Sequence, residues 1–304
     1  MSDEESLEAE IRHAYDGSTV AFRALVGCGW RDLVNLGFYP LYSLPGLIFG
    51  LEPFQKTLAR RSLELVEPRL GLRVIDAGCG RGFTTAQLAA RGCEALGLDL
   101  LDENIALARA HYGASRARFG VADVTRLPAS VEGTDLSDAS HDAVLCLEAG
   151  FHFGAKGRHA FLEEAFRVLR PGGRLVLVDF VWRDAHPEAI ERLDPRRLVR
   201  DTWCFGEFEP LERYRANAAA VGFRERALID WTVPVIDRFQ RIAQTIARAG
   251  TWRAGRAVLR TFRPGLARLE PADWTFLVEL MRAHDAVRRA SRYVALVLEK
   301  PGAR

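Results

Sequence analysis

The chain has 304 residues, of which 48% are hydrophobic and 27% are charged. This balance is typical of a globular protein and excludes a disordered or fibrous chain. With 42 basic against 40 acidic residues, the net charge gives no general case for binding nucleic acid. Three of the basic residues are lysine and 39 are arginine, which indicates either codon usage or an arginine surface that binds anions.

Cysteine usage and targeting patterns favour a reducing compartment. The five cysteines include no pair at the Cys-x-x-Cys spacing of zinc sites, and their number is odd. The first residues are acidic, which is atypical of a signal or transit peptide. The uncharged stretch over 33–51 is interrupted by prolines and glycines, so we expect no membrane span. We therefore expect a cytoplasmic protein with reduced thiols and no bound metal.

In chain order, a helical N-terminal segment precedes a region in which short apolar runs alternate with amphipathic helices. The predicted strands of this region are 72–76, 93–99, 117–121, 142–147 and 174–179. The predicted helices are 83–90, 102–111 and 161–169, and a turn is predicted at 171–173. Two further strands are predicted at 223–231 and 293–299. Such alternation is typical of a doubly wound α/β sheet with its ligand site at the carboxyl ends of the strands.

The pattern divides the chain into four parts. Residues 1–60 are predicted to form an N-terminal helical cover, and 61–235 the α/β core that binds the ligand. Residues 236–290 are predicted to form a helical lid, inserted before the last strand, that closes over the ligand end of the sheet. Residues 291–304 are predicted to supply the final strand of the core.

A glycine-rich turn joins the first predicted strand to the first predicted helix of the core. Its candidate ligand contacts are Asp76, Gly78, Cys79, Gly80 and Gly82. A dinucleotide-binding turn carries glycine where this chain has Phe83, so that pattern is not matched. The spacing resembles motif I of class I S-adenosylmethionine-dependent methyltransferases, whose turn wraps the amino-acid end of the cofactor. The resemblance implies S-adenosylmethionine as cofactor, S-adenosylhomocysteine as product and a Rossmann-like, seven-stranded sheet whose last strand is antiparallel.

Acidic residues follow the next two predicted strands, where the same family binds the adenosine part of its cofactor. Asp99 ends the second strand, and the resemblance implies that it accepts hydrogen bonds from both ribose hydroxyls. Asp123 follows the third strand, where the family places a contact to the adenine amino group. The resemblance also places Leu100, Val124 and Leu147 at the cofactor. Taken singly, each acid is also compatible with a solvated loop or a helix cap.

The segment after the fourth strand carries the candidate catalytic residues, Glu148 and His152. Their spacing resembles sterol and tocopherol C-methyltransferases and macrolide sugar O-methyltransferases. A hydroxyl acceptor must lose its proton, and histidine is suited to take it near neutral pH, so His152 is the candidate general base. Glu148 is a candidate to orient that imidazole, to bind substrate or, in a C-methylating enzyme, to stabilise or deprotonate a carbocation. A structural histidine and a capping or cofactor-binding glutamate are the alternatives.

Aromatic and basic residues mark the expected acceptor site. The candidate substrate contacts are Tyr39, Phe151, Trp182, Trp203, Arg256 and Arg260. The aromatic residues favour a largely apolar acceptor. The segment 238–268 holds eight arginines and no acidic residue, which favours an anionic acceptor group, an anionic membrane surface or a solvated basic face.

Together these patterns predict an S-adenosylmethionine-dependent methyltransferase of a small, largely apolar secondary metabolite, with O-methylation favoured over C-methylation. The expected partner is this small molecule, with no nucleic acid and no membrane span, and a homo-oligomer is left open. A non-catalytic, cofactor-binding scaffold is an alternative of another class. Phe83 argues against an NAD-linked oxidoreductase.

Overall fold

The computed structural model describes residues 18–30, 33–40, 50–183 and 189–302, together with the single positions 9 and 12. Contacts divide the chain into two compact units. The core unit comprises Ala59–Val181, Phe208–Asp230 and Tyr293–Arg304. The helical unit comprises Met1–Leu58, Trp182–Glu207 and Trp231–Arg292. Residues 182–207 thus group with the helices, whereas the sequence pattern places them in the core.

The described part of the chain contains ten strands. They are β1 (Arg73–Ala77), β2 (Glu94–Asp99), β3 (Arg118–Val121), β4 (Ser130–Val131), β5 (Thr134–Asp135), β6 (His141–Leu147), β7 (Leu169–Trp182), β8 (Glu209–Pro210), β9 (Arg224–Asp230) and β10 (Ser291–Glu299). The main sheet has the order β3-β2-β1-β6-β7-β10-β9, and β8 pairs with β7. The predicted doubly wound sheet with an antiparallel last strand is confirmed, because β10 pairs antiparallel with β9.

The predicted number of seven strands is wrong, since the main sheet has eight strands and β4 and β5 form a separate hairpin. The three additional strands have two residues each, which is too short for an apolar period to show in the sequence. Of the remaining strands, β1, β2, β6 and the middle of β7 contain apolar runs, as predicted. Such runs are expected for parallel strands that are buried on both faces.

The predicted turn at 171–173 also requires correction, because these residues lie within β7. The pairing of β7 with β6 shifts from Leu169 opposite His141 to Arg174 opposite Ala143, so the intervening residues form a bulge. The Gly172 amide donates to the Lys300 carbonyl at 2.7 Å, which ties the bulge to the end of the chain's last strand.

Eleven helices are described, with boundaries as follows. They are α1 (Val20–Gly27), α2 (Glu52–Val66), α3 (Phe83–Ala90), α4 (Asp102–Tyr112), α5 (Gly154–Val168), α6 (Ala189–Leu193), α7 (Leu198–Trp203), α8 (Leu211–Val221), α9 (Arg238–Gly250), α10 (Arg253–Phe262) and α11 (Pro271–Ala290). Short helical turns occupy Gly150–His152, Val233–Asp237 and Pro264–Arg268. The predicted cover over 1–60 lies partly outside the described residues, and its described part holds α1 and the start of α2.

Each unit has its own apolar core. In the core unit, side chains from β1, β6, β7 and β10 pack with α5 and α8 in one cluster. In the helical unit, α1, α9 and α11 pack around Trp274, which is 1% exposed. Gly250 is needed there, because a Cβ at that position would lie 1.9 Å from the Trp274 ring. Within the described residues, no helix is long and apolar enough to cross a bilayer.

Candidate cofactor and active site

The carboxyl ends of the central parallel strands lie at one edge of the sheet. Asp76 on β1 is in register with Gly97 on β2 and with Leu145 on β6. The turns that follow these three strands therefore emerge side by side. This edge is where an α/β sheet of this kind binds its ligand.

The glycine turn after β1 is held against the end of β2. The amides of Gly78 and Cys79 donate to the Leu98 carbonyl at 2.8 and 2.9 Å. Gly78 has a φ of +70°, in the left-handed region, and a Cβ there would lie 2.4 Å from the Ala149 Cβ. Any side chain at position 78 would therefore be strained and would push the turn after β6 away.

Asp76 supports this turn from beneath. Its carboxylate is 1% exposed, and Oδ2 accepts hydrogen bonds from the hydroxyls of Thr84 at 2.5 Å and Thr85 at 2.7 Å. Burial raises the pKa of Asp76 to about 6, against the lowering effect of the two threonines. The carboxylate thereby joins the end of β1 to the first turn of α3. A direct contact between Asp76 and a cofactor stays a prediction.

Asp99 lies beside the glycine turn, as the sequence predicts. Its Oδ2 accepts from the Gly80 amide at 2.8 Å, while Oδ1 accepts from the Leu101 amide and from Asn104 Nδ2, each at 3.0 Å. Burial raises its pKa, although these hydrogen bonds favour the charged form. A carboxylate has about four lone-pair sites, and three of those of Asp99 are occupied, so Oδ2 can accept from one further hydroxyl donor. A hydroxyl of an adenosine ribose fits this remaining site.

Two of the residues predicted to contact the adenine part of the cofactor, Asp123 and Val124, come shortly after the end of β3. The Ala122 amide donates to the Asp99 carbonyl at 3.0 Å, which brings the end of β3 next to that of β2. Asp123 is half-buried, and its Oδ1 accepts from the amide and the hydroxyl of Thr125, both at 2.8 Å. Val124 is buried in the core cluster, whereas Leu100 and Leu147 are partly exposed.

Glu148 begins the turn after β6 in a backbone conformation that is unusual for its type. Its φ is +51°, and its amide donates to the Val178 carbonyl at 2.8 Å. The Tyr293 hydroxyl donates to Glu148 Oε1 at 2.6 Å. Burial, and secondarily the charge of Glu148, hold the pKa of Tyr293 well above its usual value. Tyr293 therefore stays protonated and fixes the carboxylate of Glu148.

His152 lies at the end of the same turn. Its amide donates to the Ala149 carbonyl at 3.1 Å, and its half-buried ring lies against Phe151 with a centroid separation of 4.0 Å. Phe151 in turn packs edge-on against Phe180, which stacks on Phe208 at 5.3 Å. The two candidate catalytic residues thus belong to one turn, and that turn is backed by aromatic rings.

Three polar residues of this region have no role in the sequence-based prediction: Tyr293, Asp179 and Tyr214. Asp179 is 1% exposed on β7, and burial raises its pKa to about 7. A Cβ on Gly150 would lie 2.7 Å from Asp179 Oδ2 and 3.0 Å from the Tyr214 hydroxyl, so these groups converge directly under the turn that carries His152. An acid inside the apolar run of β7 and a tyrosine at the start of β10 were the available clues.

The predicted substrate contacts come from both units. Phe151 belongs to the core unit, while the other five lie in the helical unit. Tyr39 and Trp182 are fully buried, and the Tyr39 hydroxyl donates to the Leu36 carbonyl at 2.8 Å, which favours a packing role. The Trp203 indole donates to His284 Nε2 at 2.6 Å.

The two arginines of this set differ in environment. Arg256 Nη1 donates to the Gly250 carbonyl at 2.9 Å and so caps the carboxyl end of α9. Arg260 is exposed on α10. Contacts of either arginine with a substrate stay a prediction.

The fold and this site define the class of the protein. A parallel sheet carries a glycine turn after β1, an acid beside that turn at the end of β2, and polar residues after β3 and β6. This is the arrangement of a Rossmann-like enzyme that binds a nucleoside-type cofactor at its strand ends.

Comparison with known proteins then identifies the enzyme. Residues 75–177 match the family model described as a methyltransferase domain. A 2-methyl-6-phytyl-1,4-hydroquinone methyltransferase from Synechocystis sp. is 28% identical over 73% of this chain and 70% of its own length. An O-methyltransferase from Penicillium expansum, cnsE, is 34% identical over 38% of this chain and 41% of its own length.

The fold comparison agrees with the sequence comparison. The crystal structure of geranyl diphosphate C-methyltransferase from Streptomyces coelicolor A3(2), in complex with Mg²⁺, geranyl diphosphate and S-adenosyl-L-homocysteine, has a TM-score of 0.65 to this chain. The two are 15% identical, and the match covers 97% of each chain. The chain is a small-molecule methyltransferase that depends on S-adenosylmethionine, as the sequence predicts.

Proposed function

We propose that the chain transfers the methyl group to an oxygen of a small, largely apolar secondary metabolite, with His152 as general base. The observation that carries this proposal is the position of His152. It lies on the turn that follows β6, at the strand edge that holds the glycine turn and Asp99, and its ring packs on Phe151.

The cofactor roles are proposed as follows. The turn residues Gly78, Cys79, Gly80 and Gly82, supported by Asp76, lie along the amino-acid end of S-adenosylmethionine. Asp99 accepts from a ribose hydroxyl at its remaining site on Oδ2. Asp123 accepts from the adenine amino group, and Leu100, Val124 and Leu147 flank the adenine ring. When bound, the cofactor supplies a methyl group on a sulfonium, which is already activated for transfer.

The chain's residues then position the acceptor and move one proton. His152 would take the hydroxyl proton while the acceptor oxygen is methylated, and the bound cofactor would supply the methyl group and keep the electron pair of the broken S–CH₃ bond. Alignment of the oxygen in line with that bond, and exclusion of water, supply the rest of the acceleration. Glu148, fixed by Tyr293, orients the imidazole or the acceptor hydroxyl from the start of the same turn.

The apolar character of the acceptor is supported in both units. In the core unit, Phe151, Phe180 and Phe208 pack together behind His152. The helical unit contains a pocket that is lined by apolar residues, among them Trp203, Phe239 and Trp274. The hydroquinone relative is also named for a substrate with a phytyl chain. A cytoplasmic location belongs to the same proposal.

C-methylation of a prenyl or sterol-like alkene is the second candidate. It is favoured by the 2.6 Å hydrogen bond between Tyr293 and Glu148, which holds a carboxylate in a fixed position where a carbocation could be stabilised or deprotonated. In this case Glu148, rather than His152, is the essential residue. A scaffold protein that binds the cofactor without turnover is the alternative from another class.

The test begins with a screen of phenols, hydroquinones and prenylated alkenes, followed by release of S-adenosylhomocysteine and NMR of the product. With the best acceptor, His152→Ala is expected to lower kcat by about 10²-fold, because a positioned base contributes roughly that factor, and to leave cofactor affinity unchanged. Near-normal turnover of His152→Ala, with loss in Glu148→Gln and a new C–CH₃ bond, would establish the second candidate. No methylated product from any acceptor, despite tight cofactor binding, would support the scaffold.

The cofactor assignment is checked separately with Asp99→Asn. Loss of a charge-assisted hydrogen bond to ribose is expected to weaken binding of S-adenosylhomocysteine about 10-fold to 10²-fold in calorimetry. Glu94→Gln is the matched control, because Glu94 lies at the other end of β2 and is 72% exposed. Equal affinity of both variants would remove Asp99 from the cofactor site.

A further inference from the structure

Helix α10 of the helical unit is almost entirely exposed to solvent. Of its residues, all of which the structure describes, only Leu259 is buried. Large apolar side chains nevertheless lie on its surface. Trp252, which precedes the helix as its N-cap residue, is 69% exposed, Val258 is 53% exposed and Phe262 is 47% exposed.

Two of these apolar residues share a side of the helix. Val258 and Phe262 are four residues apart, so they are neighbours on the helix surface. On the helix surface between this apolar pair and the arginines of α10, the residues are small. They are Ala254, Ala257 and Thr261, and all three are exposed. Exposed apolar surface of this kind marks an interaction site more often than scattered single residues do.

The charge next to this apolar surface is positive, and no acidic residue of the same segment balances it. Arg253 and Arg260 are exposed on the opposite flank of α10, seven residues apart. Neither forms an ion pair with another described residue. The wider segment 238–268 contains eight arginines and no acidic residue. A partner for this face therefore needs both an apolar layer that these side chains can enter and negatively charged groups.

We propose that α10 binds the surface of a membrane that contains anionic phospholipids, with the helix lying flat in the interface. Trp252, Val258 and Phe262 enter the boundary between headgroups and acyl chains, and Arg253 and Arg260 contact lipid phosphates. An amphipathic helix with arginines on one flank and aromatic residues on the other has the composition of such interfacial helices. Tryptophan is preferred at this depth because its ring is apolar and its N–H is polar.

This inference differs from the proposed function and does not depend on it. It also gives the arginines of 238–268 a different role from the one that they would have in binding an anionic acceptor. A single anionic acceptor needs the arginines but gives no reason for an exposed Trp252 and Phe262 beside them. A lipid surface uses both features, and the binding is peripheral because no described helix can span a bilayer.

The full chain is tested by co-sedimentation with phosphatidylcholine vesicles, with and without phosphatidylglycerol. We expect binding to the phosphatidylglycerol vesicles to be at least about tenfold tighter, and to weaken as salt is raised, because the attraction is partly electrostatic. The double variant Trp252→Ser/Phe262→Ser and the double variant Arg253→Gln/Arg260→Gln are each expected to lose about tenfold in affinity.

The matched controls lie in the core unit. Leu70→Ser removes an apolar side chain that is 86% exposed, and Arg116→Gln removes an exposed arginine, so both should bind vesicles as the unchanged chain does. Unchanged circular dichroism and cofactor affinity in the α10 variants show that they fold.

Three results would overturn the proposal. One is no binding to phosphatidylglycerol vesicles at low salt. Another is equal loss of binding in the control variants. The last is a dimer that becomes a monomer in the Trp252→Ser/Phe262→Ser variant by light scattering, which would make this face an interface between two copies of the chain.

Discussion

The core sheet and helix α10 of this methyltransferase place charged residues in opposite environments. In the core unit, acids are buried at the sheet, and Asp76 and Asp179 are each 1% exposed with pKa values raised by burial to about 6 and 7. The pair formed by Arg158 and Glu209 is also buried, at 2.8 Å. In the helical unit, the arginines of α10 lie at the surface beside exposed aromatic residues.

The difference shows that charged groups contribute differently to the free energy of folding in these two regions. Buried charges and acids are costly unless they are paired or hydrogen-bonded, so they persist in the core unit where the surrounding structure fixes them. Exposed arginines cost little in the folded chain and remain available to a partner. We therefore expect charge changes in the core unit to alter stability, and charge changes on α10 to alter binding.

The largest expected effect concerns Asp179. Its pKa is about 7 in the folded chain and near 3.9 in the unfolded chain, so folding favours the protonated form. Its contribution is complete below about pH 4 and is lost as pH rises through 7. Relative to wild type, Asp179→Asn should gain about 4 kcal/mol between pH 4 and pH 8, as followed by urea denaturation at each pH. A constant difference across that range would show that Asp179 is ionised at neutral pH.

Next in size is the buried ion pair. Glu209→Gln keeps the shape and one hydrogen-bond acceptor but removes the carboxylate charge that lies 2.8 Å from Arg158, whose side chain is 1% exposed. We expect a loss of about 3 kcal/mol in the free energy of unfolding. The same substitution at Glu279, which pairs with Arg196 at 3.3 Å on the surface of the helical unit, should cost less than about 1 kcal/mol. Equal losses at both positions would contradict the contrast between the units.

The smallest expected effect concerns His284 in the helical unit. Burial lowers its pKa to about 4, and Nε2 accepts the hydrogen bond from Trp203. Folding therefore favours the neutral ring, and this contribution is present above about pH 6.5 and lost as pH falls toward 4. His284→Gln keeps an acceptor that does not titrate. Relative to this variant, wild type should lose about 2.5 kcal/mol over that interval, as measured by denaturation followed through tryptophan fluorescence.

Much of the core unit could be predicted from short segments of sequence. The apolar runs at 72–76 and 142–147 correspond to β1 and β6, and the glycine turn lies between β1 and α3 as expected. Asp99 lies next to Gly80, also as expected, because strands that end at one edge bring their following residues together. These features depend on local periodicity and on the regular geometry of a parallel sheet.

The short strands, the bulge in β7 and the placement of 182–207 could not be predicted in the same way. A two-residue strand has no period, and a bulge depends on what the neighbouring strand presents. The grouping of 182–207 depends on packing with helices that lie far away in the sequence.

By itself, the sequence determined the class of fold, the order of the core elements and the cofactor, because apolar periodicity and a glycine turn are local properties. Only the tertiary structure decided which polar groups meet. Tyr293 donates to Glu148 across 145 residues, and Arg158 pairs with Glu209 across 51. It also decided which side chains of α10 face solvent, since an amphipathic pattern shows two faces but not which of them the rest of the protein covers.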